Sequence, residues 1–324
     1  MPQQEPTAPH IIYIAGYGRS GSTLLDRILS QHGSVLSSGE MCNALKKLQT
    51  PDELCSCGET ISACPTWRPV SERVLSWMRE AGVSSDQMIA IHGKLEKWKS
   101  LLRWFLFRRP PAMTPRDRDL YLRFESVLFS EFSRSQGGCK YVVDSSKTAG
   151  FEARAVALEM LAAMPVRVIH LVRDPRGVLN SQVKGANDKL EKGLRVSKRL
   201  AGLRTPLKWI EANLAAAAVA TLIGRHKVCR VRYEDLMEKP GETITKLCRF
   251  LGIEPEPIIE AMGKAVLPRN GHFISGNRMR LKPTRLEPKR NTTELPWYYE
   301  VICVFLCWPL MKLYDYSISR PSVR

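Results

Sequence analysis

The sequence predicts a three-layer α/β/α fold around a mostly parallel sheet, and three observations carry that expectation. Four short apolar runs of strand length, Ile11 to Ala15, Tyr141 to Val143, Val166 to Val172 and Val228 to Val231, are separated by stretches of helical period. The first run enters the glycine-rich turn GYGRSGST and leaves through a helix whose apolar face is Leu24, Leu25, Ile28 and Leu29. The other three end in short polar segments: DSSK after Val143, RDP after Val172 and RYEDL after Val231. Ligands of open α/β sheets sit at the carboxyl ends of strands, so chemistry is expected at these segments.

A hydrophobic fraction of 44% and a charged fraction of 25% are globular values, and no linker-like tract divides the chain. One domain is therefore expected over 1–324, with a helical insertion at about 70–138 and a helical C-terminal region at about 290–318. Lys and Arg (49) exceed Asp and Glu (32) by 17, which favours an anionic partner. Charge alone does not choose between a phosphorylated cofactor, an anionic glycan, nucleic acid and a membrane surface.

Met1 to His10 is polar and lacks the apolar core of a signal peptide or anchor, so a cytoplasmic location is expected. Near the other end, Val301 to Met311 is interrupted only by Pro309 and flanked by Glu300 and Lys312. This run is shorter than the roughly 20 apolar residues of a membrane span. A buried C-terminal helix is the expectation, with peripheral membrane contact as the alternative.

Within the insertion, MIAIHGKLEKWKSLLRWFLFRR and RDLYLRFESVLFSEF have helical period. The first sets Trp98, Leu101, Leu102, Trp104 and Phe105 beside Lys97, Lys99, Arg103, Arg108 and Arg109. It reads as a core-packed helix with a solvated basic face, and alternatively as a basic, aromatic wall for an anionic or lipid-like acceptor. The basic run 189–204 reads as solvated surface.

Nine cysteines without an export signal are expected to be reduced. Cys42, Cys55, Cys57 and Cys64 fall close together, and CSCGETISAC can offer thiolates to zinc. Their spacing fits no paired C-x-x-C knuckle, so structural cysteines, reduced or disulfide-bonded, are the expectation, zinc is the alternative, and no metal is assigned to the site.

The glycine turn is P-loop-like with one departure. A Walker A loop, G-x-x-x-x-G-K-[ST], cradles phosphates with backbone N–H groups and sets its Lys on the β and γ groups. Gly16 and Gly21 keep the spacing, but Ser22 stands in the lysine position, followed by Thr23. The positive charge lies inside the loop at Arg19, where it can approach the oxygen between a 5′-phosphate and its leaving substituent. A donor other than a nucleoside triphosphate follows. Arg173 supplies a second basic strand end, with Asp174 as a helix cap and Pro175 at the first helical position. Helix N-termini favour anions through free N–H groups and the macrodipole.

At these residues the chain resembles the sulfotransferases that use 3′-phosphoadenosine 5′-phosphosulfate (PAPS). GRSGSTLL is similar to their 5′-phosphosulfate loop in the Arg-bearing version of carbohydrate and tyrosylprotein sulfotransferases. LVRDPRGVLNS, Leu171 to Ser181, is similar to their 3′-phosphate motif, in which a strand-ending arginine and a serine eight positions later share the 3′-phosphate. VRYEDLMEKPGETITKLCRFLGI, the CSCG stretch, VDSSK and HFISGNRMR resemble bacterial members, so the likeness extends along nearly the whole chain.

The resemblance implies PAPS as donor, a hydroxyl acceptor and metal-independent in-line transfer. Ser20, Gly21, Ser22 and Thr23 would hold the 5′-phosphate, Arg173 and Ser181 the 3′-phosphate, and Arg19 would stabilise the sulfuryl group and leaving oxygen. Glu40, in SSGEM, matches the base of the tyrosylprotein relatives, with His32 and His170 as rivals read as structural. Lys147 would be a donor or transition-state contact. Arg280, beside Gly276 and Asn277, falls where relatives close over the 3′-phosphate, although the Arg-Lys-Gly pattern of cytosolic relatives is absent. A glycan, glycolipid or phenol, with a carbohydrate or lipid-linked hydroxyl preferred, is the expected acceptor; nucleic acid is not an expected partner. The competing readings are a P-loop nucleotide kinase, with VVDSSK as its Mg²⁺-binding strand end, and a non-catalytic binder of polyanions.

Overall fold

The computed structural model describes residues 9–190, 198–276, 278–286 and 297–319. Asn277 and residues 191–197 of the basic run lie outside them. Five strands form one sheet: β1 (His10–Ala15), β2 (Val35–Ser37), β3 (Tyr141–Asp144), β4 (Val166–Val172) and β5 (Val228–Arg232). Their order is β2-β3-β1-β4-β5, and every neighbouring pair is parallel. Four strands fall where the apolar runs predicted them. β2 escaped prediction because three residues are too few to display a period.

α1 (Ser22–Leu29) follows β1, and α2 (Ala44–Leu48) follows β2. The insertion folds as α3 (Trp67–Glu80), α4 (Ser85–Leu95), α5 (Trp98–Phe107) and α6 (Pro115–Arg134). α7 (Arg154–Met160) joins β3 to β4, while α8 (Pro175–Leu190) and α9 (Lys198–Ile223) join β4 to β5. α10 (Tyr233–Glu238), α11 (Pro240–Leu251), α12 (Glu256–Met262) and α13 (Trp297–Leu313) complete the fold.

Strand periodicity separates two cores. Ile11, Tyr13 and Ala15 of β1 point to one face, where Val142, Val166 and Val168 meet the insertion helices, α7 and α9. Ile12 and Ile14 point to the other face and meet Leu25, Ile28 and Leu29 of α1 with Ile244, Leu247 and Leu251 of α11. Helices on both faces are what an all-parallel sheet requires, and each fully buried Leu or Ile contributes roughly 1.5–3 kcal/mol. β1 lies centrally: the chain leaves it first toward β2 and β3 and later toward β4 and β5, which opens a crevice at its carboxyl end.

Two helices depart from the sequence reading. In α5 only Leu101 and Trp104 of the apolar set are buried; Trp98, Leu102, Phe105, Leu106 and Phe107 are exposed. α13 likewise buries Cys303, Cys307 and Met311 at helical spacing but exposes Val301, Phe305 and Trp308, so it is a half-buried helix. Both pack on α9, which covers one side of each and leaves the other to solvent.

The helical period of 88–109 breaks between α4 and α5 because Glu96 is drawn inward to a buried guanidinium. Arg154 Nη1 bonds Glu96 and lies 3.0 Å from Glu125 Oε1 of α6, while Nη2 lies 3.1 Å from Glu125 Oε2. Its Nε reaches Asp144 Oδ2 of β3 at 2.8 Å. All four side chains are fully buried. Burial pushes the Glu125 carboxyl up, against the pull of Arg154. Removing the guanidinium would strand three buried carboxylates. Arg154→Leu is expected to cost roughly 3–5 kcal/mol of folding stability in denaturant titrations, and a loss under about 1 kcal/mol would contradict this account.

Candidate active site

The glycine turn works through close backbone approach. A Cβ on Gly16, at φ 127°, would stand 2.3 Å from the carbonyl oxygen of Leu171 in β4, so the loop crosses that strand with no room for a side chain. Gly16 N–H donates to Thr148 Oγ1 at 3.1 Å, and the Thr148 hydroxyl donates to the Ala212 carbonyl at 2.7 Å. Gly21, at φ 96°, caps α1, and a Cβ there would come 2.5 Å from the Tyr233 ring. Arg19 is left-handed at φ 68°, a conformation costing a non-glycine residue on the order of 1–2 kcal/mol. Ser20, Ser22 and Thr23 are buried, and the Ser20 hydroxyl has no partner among the described residues.

The second cation adjoins this loop. Arg173 Nη1 donates to the Arg19 carbonyl at 2.9 Å, its guanidinium lies 4.3 Å from the centre of the Tyr233 ring, and its Nε is buried without a partner among the described residues. Trp209 Nε1 bonds the Arg173 carbonyl at 3.0 Å and fixes the strand end. Asp174 caps α8 as its sequence position suggests, accepting from Arg176 N–H at 2.8 Å, with Pro175 at the first helical position. Ser181 lies seven residues past the Asp174 cap, about two turns along α8 and close to the azimuth of that cap.

Glu40 and Lys147 form an ion pair. Glu40 also accepts from Asn43 Nδ2 at 3.2 Å, and its backbone N–H bonds the Ser275 carbonyl at 3.3 Å. Lys147 is left-handed at φ 69°, and its carbonyl accepts from the buried Tyr13 hydroxyl. Asp144 organises the DSSK turn: its Oδ1 accepts from Ser146 N–H at 3.0 Å and Met41 N–H at 3.3 Å, and its Oδ2 serves Arg154. With both oxygens engaged and no exposure, Asp144 is poorly placed to ligate Mg²⁺ as a kinase strand end would. Gly276 joins the two halves, since Thr23 Oγ1 and Glu40 Oε1 lie 3.9 and 4.0 Å from where its Cβ would stand.

The structure thus gathers Arg19, Ser20, Gly21, Ser22, Thr23 and Arg173 around one loop, with Glu40 and Lys147 beside it. Arg280 behaves differently. Its Nη1 bonds the Gly276 carbonyl at 3.1 Å and its Nη2 the Leu54 carbonyl at 3.3 Å, and no contact among the described residues joins it to Arg173 or Ser181. His170 is buried with Nε2 2.9 Å from Asn213 Oδ1, and burial lowers its pKa to about 4, so it is neutral at neutral pH. His32 Nδ1 lies 2.8 Å from the Ser34 hydroxyl. Cys42 sits with the DSSK turn, its N–H donating to Ser146 Oγ at 3.0 Å, apart from the other three clustered cysteines.

Sequence reasoning missed Thr148, one residue past DSSK, and Tyr233, the second residue of RYEDL. Position just after a strand end was the available signal for both. What it lacked was the contact each makes across the sheet.

Fold and site together define an α/β phosphate-loop protein whose loop carries Arg19 and lacks the Walker lysine. The family model described as the sulfotransferase family matches residues 9–257, and the chain belongs to that family. Over 184 residues it is 30% identical to human carbohydrate sulfotransferase 3, covering 51% of this chain and 37% of that protein. The mouse protein of the same name is 25% identical over 181 residues, 49% of this chain and 35% of that one. The chain spans little more than a third of the length of these curated relatives. Its fold is similar to the sulfotransferase domain from the curacin biosynthetic pathway (TM-score 0.53, 20% identity, 96% and 99% of the two chains). It is also similar to the sulfotransferase domain of the Synechococcus PCC 7002 olefin synthase (TM-score 0.54, 17% identity, 98% of each).

One buried acid behind the loop has a pH signature. Asp26 of α1 is fully buried; the Ser37 and Ser145 hydroxyls are its polar neighbours and hold its pKa down in part, with the Ser37 hydroxyl also donating to the Asp26 backbone carbonyl at 2.8 Å. Burial raises its pKa from 3.8 to about 7. Between those values the folded state holds a proton that the unfolded chain has released. Stability therefore falls as pH rises through that window, by at most about 1.4 kcal/mol per pH step, and is independent of this group above it. Asp26→Asn is expected to gain stability relative to the parent as pH rises from about 4 to about 7. A pH-independent difference between their denaturation midpoints would refute the assignment.

Proposed function

We propose that the chain moves the sulfuryl group of PAPS to a hydroxyl acceptor. The observation that carries this reading is the bond from Arg173 to the Arg19 carbonyl, which couples two anion-ready strand ends and suits a donor with phosphates at two positions. The unpartnered Ser20 hydroxyl and Arg173 Nε are the buried donors such a ligand would satisfy. PAPS supplies a sulfur–oxygen bond to its 5′-phosphate, which breaks as the acceptor oxygen bonds to sulfur, leaving the electron pair on the phosphate oxygen.

Arg19 stabilises charge on the sulfuryl and leaving oxygens. Backbone N–H groups at the start of α1, with Ser20, Ser22 and Thr23, hold the 5′-phosphate; Arg173 and Ser181 hold the 3′-phosphate. Glu40 takes the acceptor proton, and Lys147 orients that carboxylate through the ion pair while adding positive charge beside the transferring group. Arg280 acts through the Gly276 carbonyl, shaping the turn between Thr23 and Glu40.

A carbohydrate or lipid-linked hydroxyl is the acceptor class this reading favours. The similarity to carbohydrate sulfotransferase 3 supports the first. The second is supported by exposed Phe105, Leu106 and Phe107 on α5 beside Arg103, Arg108 and Arg109, and by a groove of about 370 Å³ along α13 lined by Val301, Val304, Phe305 and Trp308. The groove's lining also includes Arg176 at the start of α8 but no residue of the loop or the Glu40 turn, so this reading assigns it to docking rather than transfer. No helix among the described residues is long and apolar enough to cross a membrane. A cytoplasmic location with peripheral membrane contact is what this reading proposes, and the exposed apolar and basic side chains of α5 support the contact.

With labelled PAPS and a cell extract as acceptor source, Arg19→Ala and Glu40→Gln are each expected to lower turnover about 100-fold or more. Unchanged transfer in both variants would overturn the catalytic assignment. Sedimentation with anionic vesicles checks the membrane contact: the protein is expected to co-sediment at low salt and Phe105→Ser/Phe107→Ser to release it, whereas absence of parent binding rejects that part of the reading.

A further inference from the structure

Away from the transfer site, four ligand-type side chains converge. Cys55, Cys57 and Cys64 come from the loop between α2 and α3, and His272 from the segment after α12, some 200 residues further along the chain. Their ligand atoms all lie within 4.8 Å of one another. Cys57 Sγ is 3.7 Å from Cys64 Sγ, and His272 Nδ1 is 3.3 Å from Cys64 Sγ and 3.7 Å from Cys55 Sγ. A tetrahedral zinc ion with bonds of about 2.3 Å to sulfur and about 2.05 Å to nitrogen sets S···S near 3.8 Å and S···N near 3.6 Å. The three separations given are of the size a coordination shell sets, the remaining pairs lie within 4.8 Å, and all nine cysteines are free thiols.

We propose that Cys55, Cys57, Cys64 and His272 bind one structural Zn²⁺. Three thiols and an imidazole meeting at one point satisfy each other poorly, since a thiol is a weak donor and a weak acceptor. As three thiolates and a neutral imidazole they complete a four-coordinate site with no open position, the pattern of a structural rather than a catalytic metal. Binding releases the thiol protons to solvent.

The surroundings are built to hold such ligands. Trp67 N–H donates to Cys64 Sγ at 3.4 Å, and Trp67 Nε1 donates to the His272 carbonyl at 2.7 Å. The Ser56 hydroxyl donates to the Gly271 carbonyl at 3.1 Å and accepts from Phe273 N–H at 2.9 Å. These bonds fix the cysteine loop and the histidine segment relative to each other, as outer-shell contacts do around metals.

The site also has a reason to exist. His272 N–H bonds the Ser37 carbonyl at the end of β2, Ile274 N–H the Ser38 carbonyl, and the Ser275 carbonyl receives Glu40 N–H. The metal would cross-link the cysteine loop to the segment on which the Glu40 turn rests. Cysteine spacing alone did not reveal this, because the fourth ligand is the distant His272 and not the nearby Cys42.

The test is elemental analysis of the full chain produced with zinc in the medium and purified without chelator. About one zinc per chain is expected in the parent and in the control Cys229→Ser, and a small fraction of that in Cys57→Ser and Cys64→Ser. Should those variants fail to fold, the parent itself decides: after mild chelation it is expected to lose thermal stability, regain it with Zn²⁺, and with Co²⁺ give the thiolate charge-transfer and tetrahedral d–d absorption of an S₃N site. A parent with under about a tenth of an equivalent of zinc and no cobalt spectrum would overturn the proposal, as would a disulfide among the three cysteines or full zinc in both serine variants.

Discussion

A single guanidinium joins the parallel sheet to the helices inserted in it. Arg154, at the start of α7, reaches Asp144 at the end of β3, Glu96 after α4 and Glu125 in α6, with the Tyr121 hydroxyl donating to Glu96 at 3.0 Å. Every member is buried, so none can exchange its partner for water. The insertion is thereby anchored at a strand end, and Asp144 is held where its other oxygen organises the DSSK turn. Lys147 and Thr148 take their places from that turn, one pairing with Glu40 and the other holding Gly16.

From that anchor the candidate site is assembled by close approach. Gly16 lies against β4, Gly21 against Tyr233, and Tyr233 beneath Arg173, so one ring touches both the phosphate loop and the second anion site. Such contacts leave no slack. They position buried donors without partners, and the strained left-handed backbones of Arg19 and Lys147 are held there by the surrounding packing.

Four strands, the loop and the Arg173 helix start were legible in the sequence because each is written within a few consecutive residues: an apolar run, a glycine pattern, a cap and a proline. β2 was too short to display a period. The faces of α5 and α13 were misread because helical period locates an apolar stripe without saying whether anything covers it; α9 covers part of each and solvent meets the rest. Arg280 was placed by its neighbourhood in sequence; its two Nη atoms bond the Gly276 and Leu54 carbonyls, while its Nε is buried with no partner among the described residues.

By itself the sequence determined the layer architecture, the phosphate-loop character and the displacement of the loop's charge from position 22 to Arg19. These depend on short-range pattern and on the identity of single residues. Only the tertiary structure decided which strand ends meet, that Glu40 pairs with Lys147, and that His272 rather than Cys42 completes the cysteine cluster. Those outcomes depend on parallel pairing, which brings residues a hundred or more positions apart to the same end of one sheet, and on burial, which decides what each charge has for a partner.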